Sequence, residues 1–331
     1  MQRALRLSLA LPVVAVLAAC SSTAAGTGGD TSGDVVTIEH AFGTTEITGT
    51  PERVATVNWA NQDIALALGV VPVGMAAQTY GDDDGDGVLP WTAEALEELG
   101  AETPALFDET DGIDFEAVAE SDPDVILASY SGLTEEDYAT LSEIAPTVAF
   151  PEYAWGTPWR ESLAITGQAL GLEDEAAAVQ ADIEAQIAAA TEGSAFAGLS
   201  TAMVFVDPTD LSTISAYTPL DTRVQYLEDL GLTTAGSVTS LGEANEGQFF
   251  GAVSAEQADT FDDVDLFVAY GDQSLLEAMQ ADPLLGTIPA IQRGAVALLT
   301  DGTPVAAALT PTPLSIPWAL DDYVTSFDAA A

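Results

Sequence analysis

The chain has 331 residues, 48% of them hydrophobic and 18% charged, which suits a molecule with a sizeable core and excludes a disordered tail or a fibre. Fifty-three acidic side chains face six arginines and no lysine, a formal net charge of −47. That balance excludes a phosphate-binding nucleic-acid surface, because such surfaces work through Lys and Arg displacing condensed counterions. One Cys excludes a disulfide framework and one His a His-rich metal cage. At roughly 150 residues per domain the length predicts about two domains.

Arg3 and Arg6 precede an apolar run over 7–17 that is too short to span a bilayer and has the layout of a secretory signal peptide. It ends in Leu17-Ala18-Ala19-Cys20 and resembles a bacterial lipobox, which implies cleavage after residue 19 and diacylation of Cys20. Two acyl chains anchor a protein stably where one does not. Residues 20–34, rich in Gly, Ser and Thr, read as a flexible tether. The sequence therefore predicts a lipid-anchored protein on the extracytoplasmic face of the cell membrane. Its negative surface keeps it soluble and repels anionic headgroups.

The body opens with two short strands, 35–38 and 44–48, around Gly43, with His40 exposed in the hairpin between them. Strands over 53–58, 71–76, 125–129 and 147–150 then alternate with helices over 62–68, 92–99, 114–120 and 134–144. Asp114 is placed to cap the third of these helices. Continuous apolar strands separated by helices predict a parallel sheet covered on both faces. Between the first two helices, Asp82-Asp83-Asp84-Gly85-Asp86-Gly87 fits the opening of a calcium loop, but Ala93 stands where the bidentate acid belongs, so the stretch reads as an exposed acidic turn.

Residues 158–170 and 173–191 are helical in pattern, and the second piece, about 30 Å long, suffices to bridge two lobes. The alternation then restarts with strands over 202–206, 212–215, 264–270 and 296–299 and helices over 224–230, 255–260, 275–279 and 314–327. The predicted architecture is two doubly wound α/β lobes, 35–157 and 194–331, joined through 158–193 by one long rigid helix.

Several strings carry a family likeness in order along the body. They include Pro51-Glu52-Arg53-Val54, Asp63-Ile64-Ala65-Leu66-Ala67-Leu68-Gly69, Asp124-Val125-Ile126-Leu127-Ala128, Thr157-Pro158-Trp159-Arg160-Glu161, Tyr226-Leu227-Glu228-Asp229-Leu230-Gly231 and Pro313-Leu314-Ser315-Ile316-Pro317-Trp318. Through them the chain resembles the substrate-binding lipoproteins of ABC importers for ferric siderophores and, more distantly, cobalamin. The resemblance implies a monomeric, non-enzymatic receptor without a cofactor, which captures a ferric siderophore between its lobes and hands it to a membrane permease and its ATPase. It also implies that one acidic residue from each lobe docks on the permease, and the matching helix starts hold Glu135 or Glu136 and Glu256. Carboxylates in a first helical turn also simply favour the helix dipole.

Ligands of open α/β sheets sit beyond the carboxyl ends of the strands, and those ends carry Trp59, Tyr130, Tyr153, Trp155 and Tyr270. Rigid rings suit a bulky chelate, although each ring fits the core as well. Tyr217 joins this ligand-binding set, as do Trp159, Arg160 and Arg223. Of the arginines outside the signal peptide, Arg160 and Arg223 fall where the family places cleft residues, with a local ion pair to Glu161 or Asp221 as the competing reading. Arg53 and Arg293 read as structural. An iron atom wrapped by a siderophore needs no protein ligand, so no metal site is expected. Scarce cations favour a neutral or positive hydroxamate complex over an anionic tris-catecholate. A cobalamin or haem receptor of the same fold is the alternative. A surface hydrolase would have to use His40 and lacks a G-x-S-x-G elbow, and an adhesin would have no pocket.

Overall fold

Alternating Ile and polar residues build the entrance hairpin, strands β1 (Val35–His40) and β2 (Gly43–Thr48), whose register sets Ile38 opposite Thr45 and leaves Ile38 and Ile47 buried. The computed structural model describes residues 35–331, all within one compact unit. The expected signal peptide over 1–19, Cys20 and the tether over 20–34 lie outside the described residues. His40 is not exposed as the sequence suggested. It is 7% accessible, packed 4.8 Å from the Tyr138 ring. Its Nδ1 accepts from the Phe42 amide, so Nε2 carries the proton and donates to Thr45 Oγ1 at 2.9 Å. The Thr45 hydroxyl in turn donates to the Thr147 carbonyl.

Short, wholly buried strands separated by helices follow: β3 (Val54–Thr56), α1 (Asn61–Ala67), β4 (Gly74–Ala76), α2 (Pro90–Glu98), β5 (Ala105–Phe107), α3 (Phe115–Glu120), β6 (Val125–Leu127), α4 (Glu135–Ile144) and β7 (Thr147–Val148). The strands form a parallel sheet in the order β5-β4-β3-β6-β7. Every residue of β3, β4 and β6 is buried, as a sheet covered on both faces requires. The order reverses between β3 and β6, which opens a crevice beyond their carboxyl ends. Asp114 caps α3 as expected, accepting from the Ala117 amide, and Thr134 with Asp137 forms a full capping box on α4. Strand β5 escaped the sequence reading because Ala105 and Leu106 are only partly covered.

Helix α5 (Trp159–Leu170) ends at Gly171, whose φ of 68° only glycine adopts without strain, and α6 (Glu173–Ala190) continues for 18 residues, about 27 Å. The second half holds β8 (Ser200–Asp207), β9 (Asp210–Tyr217), α7 (Thr222–Asp229), β10 (Thr233–Thr234), α8 (Gly236–Ala244), β11 (Phe250–Ser254), a 3₁₀ turn over Ala255–Phe261, β12 (Leu266–Tyr270), α9 (Gln273–Ala281), α10 (Pro289–Arg293), β13 (Val296–Leu299), α11 (Pro304–Ala308) and α12 (Ser315–Ala330). Its sheet runs β11-β9-β8-β12-β13, with β10 on the flank of β8. Strands β8, β10, β12 and β13 are parallel, whereas β9 returns antiparallel to both β8 and β11. The second sheet is therefore mixed, with a hairpin added to the expected winding. Helix α6 packs on α5 at one end of the connection and on α12 from the second half.

The segment leading into α12 returns to the first half and meets a buried carboxylate there. Asp63, in α1, is wholly inaccessible and accepts from Trp91 Nε1 at 2.7 Å, Thr92 Oγ1 at 2.7 Å and Thr312 Oγ1 at 2.8 Å. Thr312 and Ser315 bond each other through reciprocal amide and hydroxyl contacts, which fixes the returning loop. Burial pushes the Asp63 carboxyl up to about 6, against the three donors that favour its ionised form. The folded state thus holds a proton between pH 4 and 6 that the unfolded chain has released. Stability from this group is full below the unfolded pKa and is lost as pH rises through about 6, by on the order of 3 kcal/mol. Urea melts at pH 5 and 7.5 should show that the Asp63→Asn variant lacks this step, so its deficit relative to the parent chain narrows at the higher pH.

Candidate functional site

The loops that leave β3 and β6 are held in an unusual shape by one asparagine. Asn58, just beyond β3, sits at φ 61° and Ala60 at φ 61°, both in the left-handed region. The Asn58 amide and side chain donate to Glu109, and its Oδ1 accepts from the Gly132 amide beyond β6. This network holds two strained residues, each costing of order 1 kcal/mol, in a conformation that sets Trp59 between them. Asn61 completes the lock, donating to the carbonyls of Val57 and Tyr130 and accepting from the Tyr130 amide. Trp155 is a further left-handed residue, at φ 59°, with its amide on the Ser131 carbonyl and its ring 5.4 Å from Tyr130 in edge contact.

These strand ends face their counterparts of the second sheet across a cleft of about 480 Å³. Trp59, Tyr80, Tyr130 and Trp155 line it from the first half, and Tyr217, Arg223, Tyr270 and Phe249 from the second. Tyr80 bridges the rings, 6.3 Å from Trp59 and 6.4 Å from Tyr270. Such wide, rigid, mostly apolar walls with few polar groups are the usual make-up of a small-molecule site. Phe205 and Phe250 are among the exposed large apolar side chains of the protein, and Phe205 belongs to the rim of this cleft.

The charge in the cleft comes from the Asp221-Thr222-Arg223 turn that starts α7. Asp221 caps the helix through the Arg223 amide and takes the Arg223 guanidinium as a fork, Nε to Oδ1 at 2.8 Å and Nη2 to Oδ2 at 2.7 Å. The guanidinium carbon lies over the Tyr217 ring, 3.9 Å from its centre, with Nη1 3.4 Å from the Tyr270 hydroxyl. A bidentate pair stacked on a ring keeps the fork in one orientation. Burial pushes the Tyr270 phenol up to about 12 and raises those of Tyr130 and Tyr80 further, so all three remain neutral donors at physiological pH.

Of the residues picked from the sequence, Trp59, Tyr130, Trp155, Tyr217 and Arg223 come together in this cleft, with Tyr270. Trp159 and Arg160 do not. Trp159 is 3% exposed in the first turn of α5 and donates to Asp229 Oδ2, while Arg160 spans Glu184 and the same Asp229 oxygen at 2.6 Å each. The partner of Arg160 is thus not the adjacent Glu161, because the first helical turn points its side chain at α6 and α7. Tyr153 is exposed and lines a neighbouring depression with Glu39 and Glu152. Arg53 and Arg293 reach main-chain carbonyls, of Asp122 and Asp265 respectively. Glu135, Glu136 and Glu256 are exposed at their helix starts. Asp82, Asp84 and Asp86 are close enough to share an ion, yet each accepts from amides of its own loop, as an acidic turn does. Tyr80, Phe249 and Asp301 were not found from sequence, since each follows a strand or loop whose direction only pairing fixes.

Gly132 makes room for Trp155. A Cβ there would lie 2.3 Å from the indole nitrogen, a contact no real structure tolerates. Gly132→Ala should turn the Trp155 ring out of the cleft wall, seen as a red shift in tryptophan emission with the far-ultraviolet dichroism retained.

The sequence matches the periplasmic binding protein family over residues 54–303. Among solved structures, the chain is similar to PiaA of Streptococcus pneumoniae TIGR4 in complex with ferrichrome, with 44% identity and a TM-score of 0.85 over 89% of this chain and 98% of that one. The probable siderophore-binding lipoprotein YfiY of Bacillus subtilis is 31% identical over 179 residues, 54% of this chain and only about half (51%) of that relative. The ferric enterobactin-binding periplasmic protein FepB of Escherichia coli is 28% identical over 77% of this chain and 80% of that one. With two α/β halves around an aromatic cleft and a family match over most of its described length, the chain belongs to the periplasmic binding proteins.

Proposed function

We propose that this protein is the extracytoplasmic receptor of an ABC importer, taking a ferric siderophore into the cleft between lobes 35–157 and 194–331 and delivering it to the permease. The observation that carries this reading is the cleft wall itself, a bowl of neutral aromatic donors around one immobilised guanidinium. Iron(III) already wrapped by a hexadentate chelator presents an outer shell of methylenes and a few chelating oxygens. Rings match the former, and Arg223 with the Tyr270 hydroxyl matches the latter.

The solved relative that carries ferrichrome supports a trihydroxamate, and so does the arithmetic of charge. Three hydroxamates neutralise iron(III), whereas a tris-catecholate leaves three negative charges to be met by a single paired arginine. Export and lipidation at Cys20 accord with the lipoprotein among the relatives. The exposed Glu135, Glu136 and Glu256 are the surface we assign to permease docking, and α6, braced by α5 and α12, implies a small hinge motion on loading. The haem reading is weaker. His40 has both ring nitrogens engaged and does not line the cleft, and the cleft phenols are shifted away from the phenolate that would ligate iron. The same engagement of His40 removes the base a Ser-His-Asp hydrolase would need.

Titration of residues 21–331 with ferrichrome, haemin and cobalamin, followed by tryptophan fluorescence, tests this. Saturable quenching by ferrichrome at submicromolar concentration is expected, through Trp59 and Trp155. Arg223→Ala should weaken it by tenfold or more, in line with loss of a charge-assisted hydrogen bond. Arg160→Ala should instead lower the melting temperature by a few degrees and leave the ferrichrome constant within about twofold, since its partners are Glu184 and Asp229. Quenching by haemin or cobalamin alone would overturn the siderophore reading.

A further inference from the structure

Charge within the cleft is uneven, and the excess is negative. Its charged lining residues are Asp221, Arg223 and Asp301. The first two neutralise each other in a bidentate pair. Asp301, just beyond β13, forms no ion pair among the described residues. Its Oδ1 accepts from the Tyr80 hydroxyl at 2.8 Å, which holds the carboxylate beside the middle ring of the Trp59, Tyr80 and Tyr270 row. The remaining arginines of the described chain are spent elsewhere, Arg160 on two carboxylates and Arg53 and Arg293 on carbonyls at the surface. No lysine exists anywhere in the sequence to offset Asp301. A carboxylate in a cavity walled by aromatic rings can recognise an alkylammonium, by ion pair and cation–π attraction together.

We infer that the cleft selects, among ferric trihydroxamates, those that carry a pendant primary ammonium, with Asp301 as the counter-ion and Tyr80 as its positioning residue. This deepens the siderophore reading and rests on it. The iron-wrapping part of the ligand lies against the rings and Arg223, and the cationic arm reaches Asp301 beside Tyr80 in the same cavity. A ligand with an anionic arm meets Asp301 as like charge, so one carboxylate both attracts the right arm and rejects the wrong one.

The test compares two ligands that differ only in that arm: the ferric complex of a linear trihydroxamate ending in a primary amine, and the same complex N-acetylated at the amine, with ferrichrome as a third. Fluorescence titration at 20 mM and 500 mM NaCl should give a dissociation constant about fivefold lower for the amine form at low salt, a ratio that shrinks at high salt as an ion pair is screened. In the Asp301→Asn variant the ratio of the two constants should fall to about one at both salt concentrations. In Tyr80→Phe it should fall part of the way, because the carboxylate loses the hydroxyl that orients it. Equal constants for the amine and acetylated forms in the parent chain, with ferrichrome bound, would overturn this inference and leave the receptor reading standing. Failure of all three ligands to bind would overturn both.

Discussion

Two carboxylates that each collect donors from distant parts of the chain tie the first half to the second. Asp63, in the first half, receives Thr312 from the segment returning from the second half, and Asp229, at the end of α7 in the second half, receives Trp159 and Arg160 from the start of α5. The chain passes between the two sheets at these places, and both passages are tied to a specific oxygen. A hydrogen bond to a buried or half-buried carboxylate is short and directional, and breaking it strands a charge or a donor in a poor medium. Apolar packing alone lets two α/β layers slide, whereas these bonds leave one relative placement. Neither carboxylate lines the cavity.

The site begins with the backbone. The first sheet reverses its winding between β3 and β6, which opens a crevice beyond those strands. Asn58 and Asn61 then satisfy the loop amides and carbonyls that no strand pairs with. The cost appears in the left-handed Asn58, Ala60 and Trp155, clustered around the two indoles that face the ligand space. Strain gathered at the binding wall is consistent with preorganisation, in which folding free energy holds rings where a ligand would otherwise have to order them.

Electrostatics inside the cleft runs against the composition of the whole. A net charge of −47 gives the surface a strong negative field, which steers cations inward and keeps anions off. Within it the sole cleft arginine is neutralised by the residue two positions earlier, and the three buried phenols stay protonated. The cavity therefore carries one carboxylate, Asp301, beyond its neutralised pair. A fixed charge of this kind orients an asymmetric ligand rather than merely attracting it.

Much of this was legible from the chain alone. Continuous apolar runs such as Val125-Ile126-Leu127 cannot be exposed on either face, so a parallel sheet under helices followed directly from them. The cap at Asp114 and the break between the helical stretches 158–170 and 173–191 are local stereochemistry and were readable as such. The aromatic strand ends Trp59, Tyr130 and Tyr270 were found because strand polarity places them, whatever the packing. Trp159 and Arg160 were misassigned to the cleft because a Trp-Arg pair at a helix start has the right chemistry for a ligand, and only the rotation of α5 toward Asp229 and Glu184 shows where that chemistry is spent. His40 was misplaced for the same reason, since its cover, Tyr138, lies far along the sequence. Tyr80, Asp301 and the antiparallel pairing of β9 with β8 were invisible, because their roles arise from pairing and from approach across the cleft. The sequence by itself determined which segments must be strand, helix or cap, since those follow from local dihedrals and apolar periodicity. Which polar group meets which was decided only by the tertiary structure, because a hydrogen bond between residues 221 positions apart, such as Tyr80 to Asp301, has no trace in local order.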